Sequence, residues 1–156
     1  MLRISRVLYD EITAHCRHAY PKEACGLLAA ASGELSSEER CAVQVHPMTN
    51  VEDSPIGYSM DPKEQLCVEK LMRQRHQQLI GIYHSHTATD AYPSSVDVGL
   101  AISPDLSYVL ISLKSRERPV IKSYRIDGRV VTLEELACDG PTAGLQRPGA
   151  GSGSQV

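Results

Sequence analysis

A chain of 156 residues, 42% of them hydrophobic, has room for one buried core and little more. Sixteen Lys and Arg against nineteen Asp and Glu leave a formal charge of −3, without the basic excess by which nucleic acid is held. No apolar run reaches the roughly 18 residues needed to span a bilayer, and the opening MLRISRVLYDE turns charged where a secretory leader would stay apolar.

With no Trp or Phe, seven Tyr carry the aromatic surface and the core must rest on Leu, Ile, Val and Ala. The cysteines, Cys16, Cys25, Cys41, Cys67 and Cys138, are odd in number and form no C-x-x-C pair. That pattern predicts reduced, mostly buried thiols in a cytoplasmic protein rather than a disulfide framework or a zinc ribbon. Cys25 stands two residues after Glu23, and on a strand such residues share a face, so it is a candidate to line whatever site Glu23 serves.

In chain order, SRVLYDEITAHCRHA (5–19) places Val7, Leu8, Ile12, Cys16 and Ala19 near helical spacing, with Ser5 as cap and Pro21 as stop. ACGLLAAA (24–31) is a short apolar run between turn signals, a buried strand. SGELSSEER reads as a polar loop, and CAVQVHP alternates as a half-buried strand ended by Pro47. Asp61-Pro62 opens a second helix as N-cap and first helical residue. LIGIYHSH is an apolar strand running into a Thr-rich loop. Ser94 to about Ser103 predicts a short third helix stopped by Pro104. Three strands follow, SYVLISL, PVIKSYRI and RVVTLEEL, the last two joined at Asp127-Gly128, a strong hairpin signal. From Asp139 the composition turns to Gly, Pro and Ser, so the expected organisation is one domain over 1–138 and a disordered tail over 139–156. The element order indicates a mixed α/β or α+β domain, one layer of sheet covered by helices.

The chemistry concentrates in the segment from His84 to Asp97. His84 and His86, at i and i+2 on a strand end, point to one side while Ser85 points away. Two imidazoles so placed can share one ion at about 2.0–2.1 Å. A third ligand must come from another element, and Asp97 suits, because a carboxylate in a helix's first turn faces the loop that enters it. Ser94 and Asp97 also form the S-x-x-D of a capping box, and the two roles are compatible. Three protein ligands leave a fourth tetrahedral position for water, the pattern of a catalytic zinc site. Taken singly, either histidine fits an ordinary surface position, and by composition alone Glu23 is a surface carboxylate.

Glu23, His84, Ser85, His86, Ser94 and Asp97 together match the motif of the JAMM (MPN+) metalloprotease family: an early Glu, H-S/T-H, seven residues, Ser, two residues, Asp. The chain is identified as resembling that family over roughly residues 3–136. The resemblance implies a curved mixed β-sheet flanked by helices, like the cytidine deaminase core. It implies one Zn²⁺ per chain held by His84, His86 and Asp97, with Glu23 activating water and Ser94 donating to the oxyanion. PKEACGLL, PMTNVEDSP and HSHTATDAYPSSVDVGLA further resemble the short bacterial branch that works on ubiquitin-fold sulfur carrier proteins ending in Gly-Gly. Members of that branch hydrolyse the amide joining the carrier to cysteine; a related branch trims longer C-terminal extensions, and MPN domains without the metal motif act as scaffolds. Residues 47–58 and the 87–93 loop are expected to line a groove for the extended Gly-Gly tail. The oligomeric state stays open, a homodimer included.

Overall fold

The structure is a computed structural model that describes residues 1–33 and 38–139. Strand β1 (Leu2–Ser5) runs directly into helix α1 (Arg6–Ala19), where Ser5 accepts a hydrogen bond from the Leu8 amide and Leu8, Tyr9, Ile12 and Cys16 turn inward. Then come β2 (Cys25–Ala31), the two-residue β3 (Arg40–Cys41) and β4 (Gln44–Met48). Helix α2 (Pro62–Gln74) starts as the sequence predicts, with Pro62 in its first turn and the Asp61 carboxylate accepting from the Lys63 amide at 2.8 Å. β5 (Gln77–His86), α3 (Ser95–Leu100), β6 (Ser107–Ser112), β7 (Val120–Asp127), β8 (Val130–Glu134) and β9 (Leu136–Asp139) complete the chain as described.

Six strands form the main sheet in the order β4-β2-β5-β6-β7-β8, antiparallel throughout except for the parallel pair β5 and β6. Helix α1 covers one face, packing Leu8, Ile12 and Cys16 on Leu28, Ile80, Tyr83 and Ile111. On the other face Met72 of α2 meets Cys25, Leu27 and Met48, while Val98 of α3 adjoins Tyr108, Leu110 and Tyr124. A bulge in β5, between the pairs Leu28–Gly81 and Ala29–Leu79, leaves Ile80 as the extra residue. After it, Tyr83 and Ser85 face α1, and Ile82, His84 and His86 face the α2 and α3 side.

The expected single sheet is accompanied by a second, small one: β1 lies between β3 and β9, parallel to both. Two to four residues are too short to show a strand period, and RVVTLEEL, read as one strand, breaks at Glu135, whose carbonyl accepts from Leu2. Arg40 fastens the small sheet to the large one: its guanidinium donates to the Glu134 carboxylate at 2.8 Å, and that carboxylate also accepts from Ser107 at 2.6 Å and Ser123 at 2.7 Å. Pro47 does not end its strand but sits within β4, an edge strand where a missing N–H is tolerated. Helix α3 stops at Leu100 rather than near Ser103; Gly99 weakens its end, and the residue before Pro104 is steered away from helical geometry. The hairpin turns at Gly128, with φ of 59°, between the paired Asp127 and Val130.

Cys16 and Cys25 are buried, but Cys41 and Cys67 are exposed and Cys138 is half-buried, so the expectation of mostly buried thiols holds for two of them; all five are free. Among the described residues no helix is long and apolar enough to cross a membrane. Part of the SGELSSEER loop (34–37) and the expected tail, apart from Asp139 at the end of β9, lie outside the described residues.

Gly26 is opposite Tyr83, and a Cβ at Gly26 would clash with Cε1 and Cζ at the edge of the Tyr83 ring. That ring cannot swing away freely, because it is fully buried and its hydroxyl is 2.7 Å from His15 Nδ1. Gly26→Ala should therefore lower stability by about 1–3 kcal/mol, read as a lower urea midpoint at unchanged m-value.

Candidate active site

The end of β5 delivers both imidazoles to one spot. His84 is opposite Cys25 on β2 and beside Leu110 on β6, and His86 is beside Ser112. Both are buried, and their Nε2 atoms are 3.2 Å apart. Tyr58 lies on the His84 ring with centroids 4.6 Å apart, fixing its plane. The carbonyl of Asp90 lies 2.9 Å from His86 Nδ1, so the ring donates its Nδ1–H to that carbonyl and aims Nε2 into the site.

The third group comes from the start of α3. Ser94 Oγ accepts from the Asp97 amide at 3.1 Å and Asp97 Oδ2 accepts from the Ser94 amide at 2.7 Å, a complete capping box. The same Asp97 carboxylate reaches His84 Nε2 at 3.2 Å through Oδ1 and His86 Nε2 at 3.1 Å through Oδ2. Capping and convergence are thus one conformation. Because Ser94 Oγ serves the cap as an acceptor, its own O–H stays free to donate.

These three are the described residues whose side chains could hold a metal ion. The distances of 3.1–3.2 Å come close to those around one ion: donors about 2.0–2.2 Å from a tetrahedral zinc stand roughly 3.3–3.6 Å from each other. The chemistry fits as well: two imidazole nitrogens and a carboxylate converging at 3.1–3.2 Å need positive charge among them, which Nε2 protons supply in the free site and a metal ion would supply in a loaded one. Burial disfavours ionising Asp97, but hydrogen bonds from His84 and His86 prevail and hold its carboxyl far below the ordinary range. Burial pulls His84 below its usual value; at His86 the same burial is outweighed by Asp97 and the Asp90 carbonyl, and the ring is held above it.

Glu23, just before β2, joins the same small pocket, whose lining includes His86, Ser94 and Asp97. It is 6% exposed, and burial pushes its carboxyl up to about 7, helped by Asp97 and Glu52 and opposed by His86. The motif's central serine, which points away from the histidines as expected, places this segment: Ser85 Oγ accepts from the Ala24 amide at 2.8 Å, and the Ser85 amide donates to the Ala24 carbonyl at 3.0 Å. From the segments 47–58 and 87–93, Glu52, Ile56, Tyr58, Thr87 and Thr89 line the pocket. Cys25 does not; it is wholly buried under α2 with Sγ turned to the Met48 carbonyl. Sequence reasoning missed Tyr58 as the ring over His84 and Asp90 as the acceptor behind His86. The tyrosine gave no signal, and the second role is carried by a backbone carbonyl that side-chain identity does not encode.

The family described as prokaryotic homologs of the JAB domain matches residues 5–127. A CysO-cysteine peptidase of Mycobacterium tuberculosis is 44% identical over 136 residues, spanning 87% of this chain and 90% of the relative. A desampylase of Haloferax volcanii is 31% identical over 112 residues, 69% of this chain and 77% of the relative. Among solved structures, a protein from Desulfitobacterium hafniense superposes with a TM-score of 0.80 at 40% identity, covering 90% of this chain and 94% of that one.

Ser85→Ala would leave the buried Ala24 amide without its acceptor. The expected cost is about 1–3 kcal/mol of stability, measured by denaturant titration, from loss of a single hydroxyl.

Proposed function

This chain belongs to the family of prokaryotic homologs of the JAB domain, and from that premise we propose that it is a zinc-dependent peptidase that hydrolyses the amide after the C-terminal Gly-Gly of a ubiquitin-like sulfur carrier protein, releasing cysteine. The observation that carries this reading is the convergence of His84, His86 and Asp97 beside a buried Glu23. The CysO-cysteine peptidase relative supports the substrate.

His84, His86 and Asp97 would hold the zinc, which when bound supplies Lewis acidity and a water whose pKa falls to about 7. Glu23 accepts the proton of the attacking water and returns it to the leaving amine, a two-way task suited to a carboxylate raised by burial toward neutrality. The Ser94 hydroxyl, free to donate, stabilises the carbonyl oxygen as charge builds on it. The net change is hydrolysis: the amide C–N bond breaks, the carrier gains a carboxylate and the departing cysteine an amine.

The pocket suits a thin tail. Its volume is about 230 Å³, and Ile56, Val96 and Leu100 stand exposed at its mouth. Two glycines pass such a constriction without side chains, and the apolar mouth is left for the globular part of the carrier.

Zinc-loaded protein incubated with a carrier ending in Gly-Gly-Cys should yield a carrier lighter by one cysteine residue, seen by intact mass. Cleavage only of longer extensions would reassign the enzyme to trimming, and no cleavage with near-zero zinc stoichiometry would favour a scaffold. Glu23→Gln should keep its zinc and lose about 10²–10⁴ in kcat. Ser94→Ala should lose about 10²–10³ in kcat if the hydroxyl serves the oxyanion; a loss confined to thermal stability would leave it only the cap.

A further inference from the structure

The loop between β4 and α2, residues 49–61, forms one pocket wall through Glu52, Ile56 and Tyr58. At its base the side chain of Asn50 makes four hydrogen bonds, the full capacity of a primary amide with its two N–H donors and two oxygen lone pairs. Nδ2 donates to the Gly57 carbonyl at 2.9 Å and to the Glu23 carbonyl at 3.1 Å. Oδ1 accepts from the Glu52 and Ser59 amides, each at 3.1 Å. Two carbonyls on one side and two amides on the other fix which way the amide points. The Oδ1 pair shapes the loop, and the Nδ2 pair ties that shape to Glu23.

Glu23 is held from the same loop a second time, because its amide donates to the Ser54 carbonyl at 2.8 Å. The preceding residue adds an ion pair between Lys22 and Asp53, the latter in the left-handed region at φ of 52°. Both peptide groups flanking the Glu23 Cα are therefore anchored to the pocket wall, while the following Ala24 is anchored to Ser85 on β5. Displacing the loop displaces the carboxylate.

We propose that Asn50 is a positioning residue, acting through the Glu23 main chain to set the base against the His84–His86–Asp97 cluster and to couple it to the substrate-facing wall. The proposal rests on the peptidase reading for its catalytic consequence but not for its structural one. Asn50→Asp is the discriminating variant. It keeps the Oδ1 acceptor that shapes the loop and replaces the donor with an oxygen facing two carbonyls.

In metal-free protein, amide hydrogen exchange at Glu23 should quicken by about 10-fold in N50D as its anchor loosens, with the amides of β6 unchanged. In zinc-loaded protein acting on the Gly-Gly-Cys carrier, zinc content should be unchanged and kcat should fall about 10- to 10²-fold with a much smaller change in KM. The same substitution in a Glu23→Asp background should add little further loss, because both changes misplace one carboxylate. Unaltered exchange at Glu23, an unaltered kcat in an active enzyme, or a loss that multiplies fully with Glu23→Asp would each overturn the assignment. A wild-type protein that cleaves no carrier would defeat the functional reading alone, and the exchange measurement would still decide the role of Asn50. If N50D does not fold, N50A, which removes the amide donors without adding charge, carries the same measurements.

Discussion

β2 and β5 run antiparallel with Cys25 opposite His84, and the arrangement of the site depends on that register. Side chains alternate along a strand, so a slip of one residue would turn both imidazoles into the core beneath α1 and bring Tyr83 and Ser85 to the pocket side. Three features resist the slip. The bulge at Ile80 resets the phase of β5 just before the histidines. Tyr83 lies over Gly26, where only hydrogen leaves room for it. Ser85 and Ala24 exchange two hydrogen bonds, one through the hydroxyl and one along the backbone, where the strands meet the pocket. The serine between the histidines is thus the fastener that brings Glu23 alongside them.

On this frame two carboxylates that share a pocket with His86 are pushed in opposite directions. Asp97 receives hydrogen bonds from both histidines and from the Ser94 amide, and is ionised throughout the useful range. Glu23 has burial and two acidic neighbours, Asp97 and Glu52, working against its charge, while His86 favours it. Divergent environments at paired carboxylates are how one site separates an electrostatic anchor from a proton carrier. The division of labour proposed for Asp97 and Glu23 follows that asymmetry.

Much of this was legible in the sequence where local chemistry decides the outcome. Ser5 and Asp61 cap their helices, LIGIYHSH is a strand to its last histidine, and Ser94 with Asp97 closes a capping box, all from patterns spanning a few residues. The small sheet was not legible, because β1, β3 and β9 are too short for any period to rise above composition, and their pairing joins the first residues of the chain to the last described ones. Asn50 was not legible either. Within PMTNVEDSP an asparagine reads as a turn former, and its link to Glu23, 27 residues away, exists only after β2 and β4 have paired. Glu23 itself stood out only through resemblance to a family, since nothing local distinguishes it from a surface acid.

Helix α3 ties the chemistry back to stability. Six residues are well below the length at which an isolated helix holds in water, and none of its side chains is fully buried. Val98 and Ala101 give it partial packing, which leaves its N-terminus as the firm attachment. There Asp97 satisfies the Ser94 amide with one oxygen while both oxygens face the imidazoles, so the contacts that hold the helix are the contacts that build the site. A cation bound among those atoms would take over from the imidazole protons as the positive charge that Asp97 faces, at the same helix end that carries Val96 and Leu100 to the pocket mouth. Under the proposed reading, loading the site and shaping the groove for the carrier tail are therefore one event.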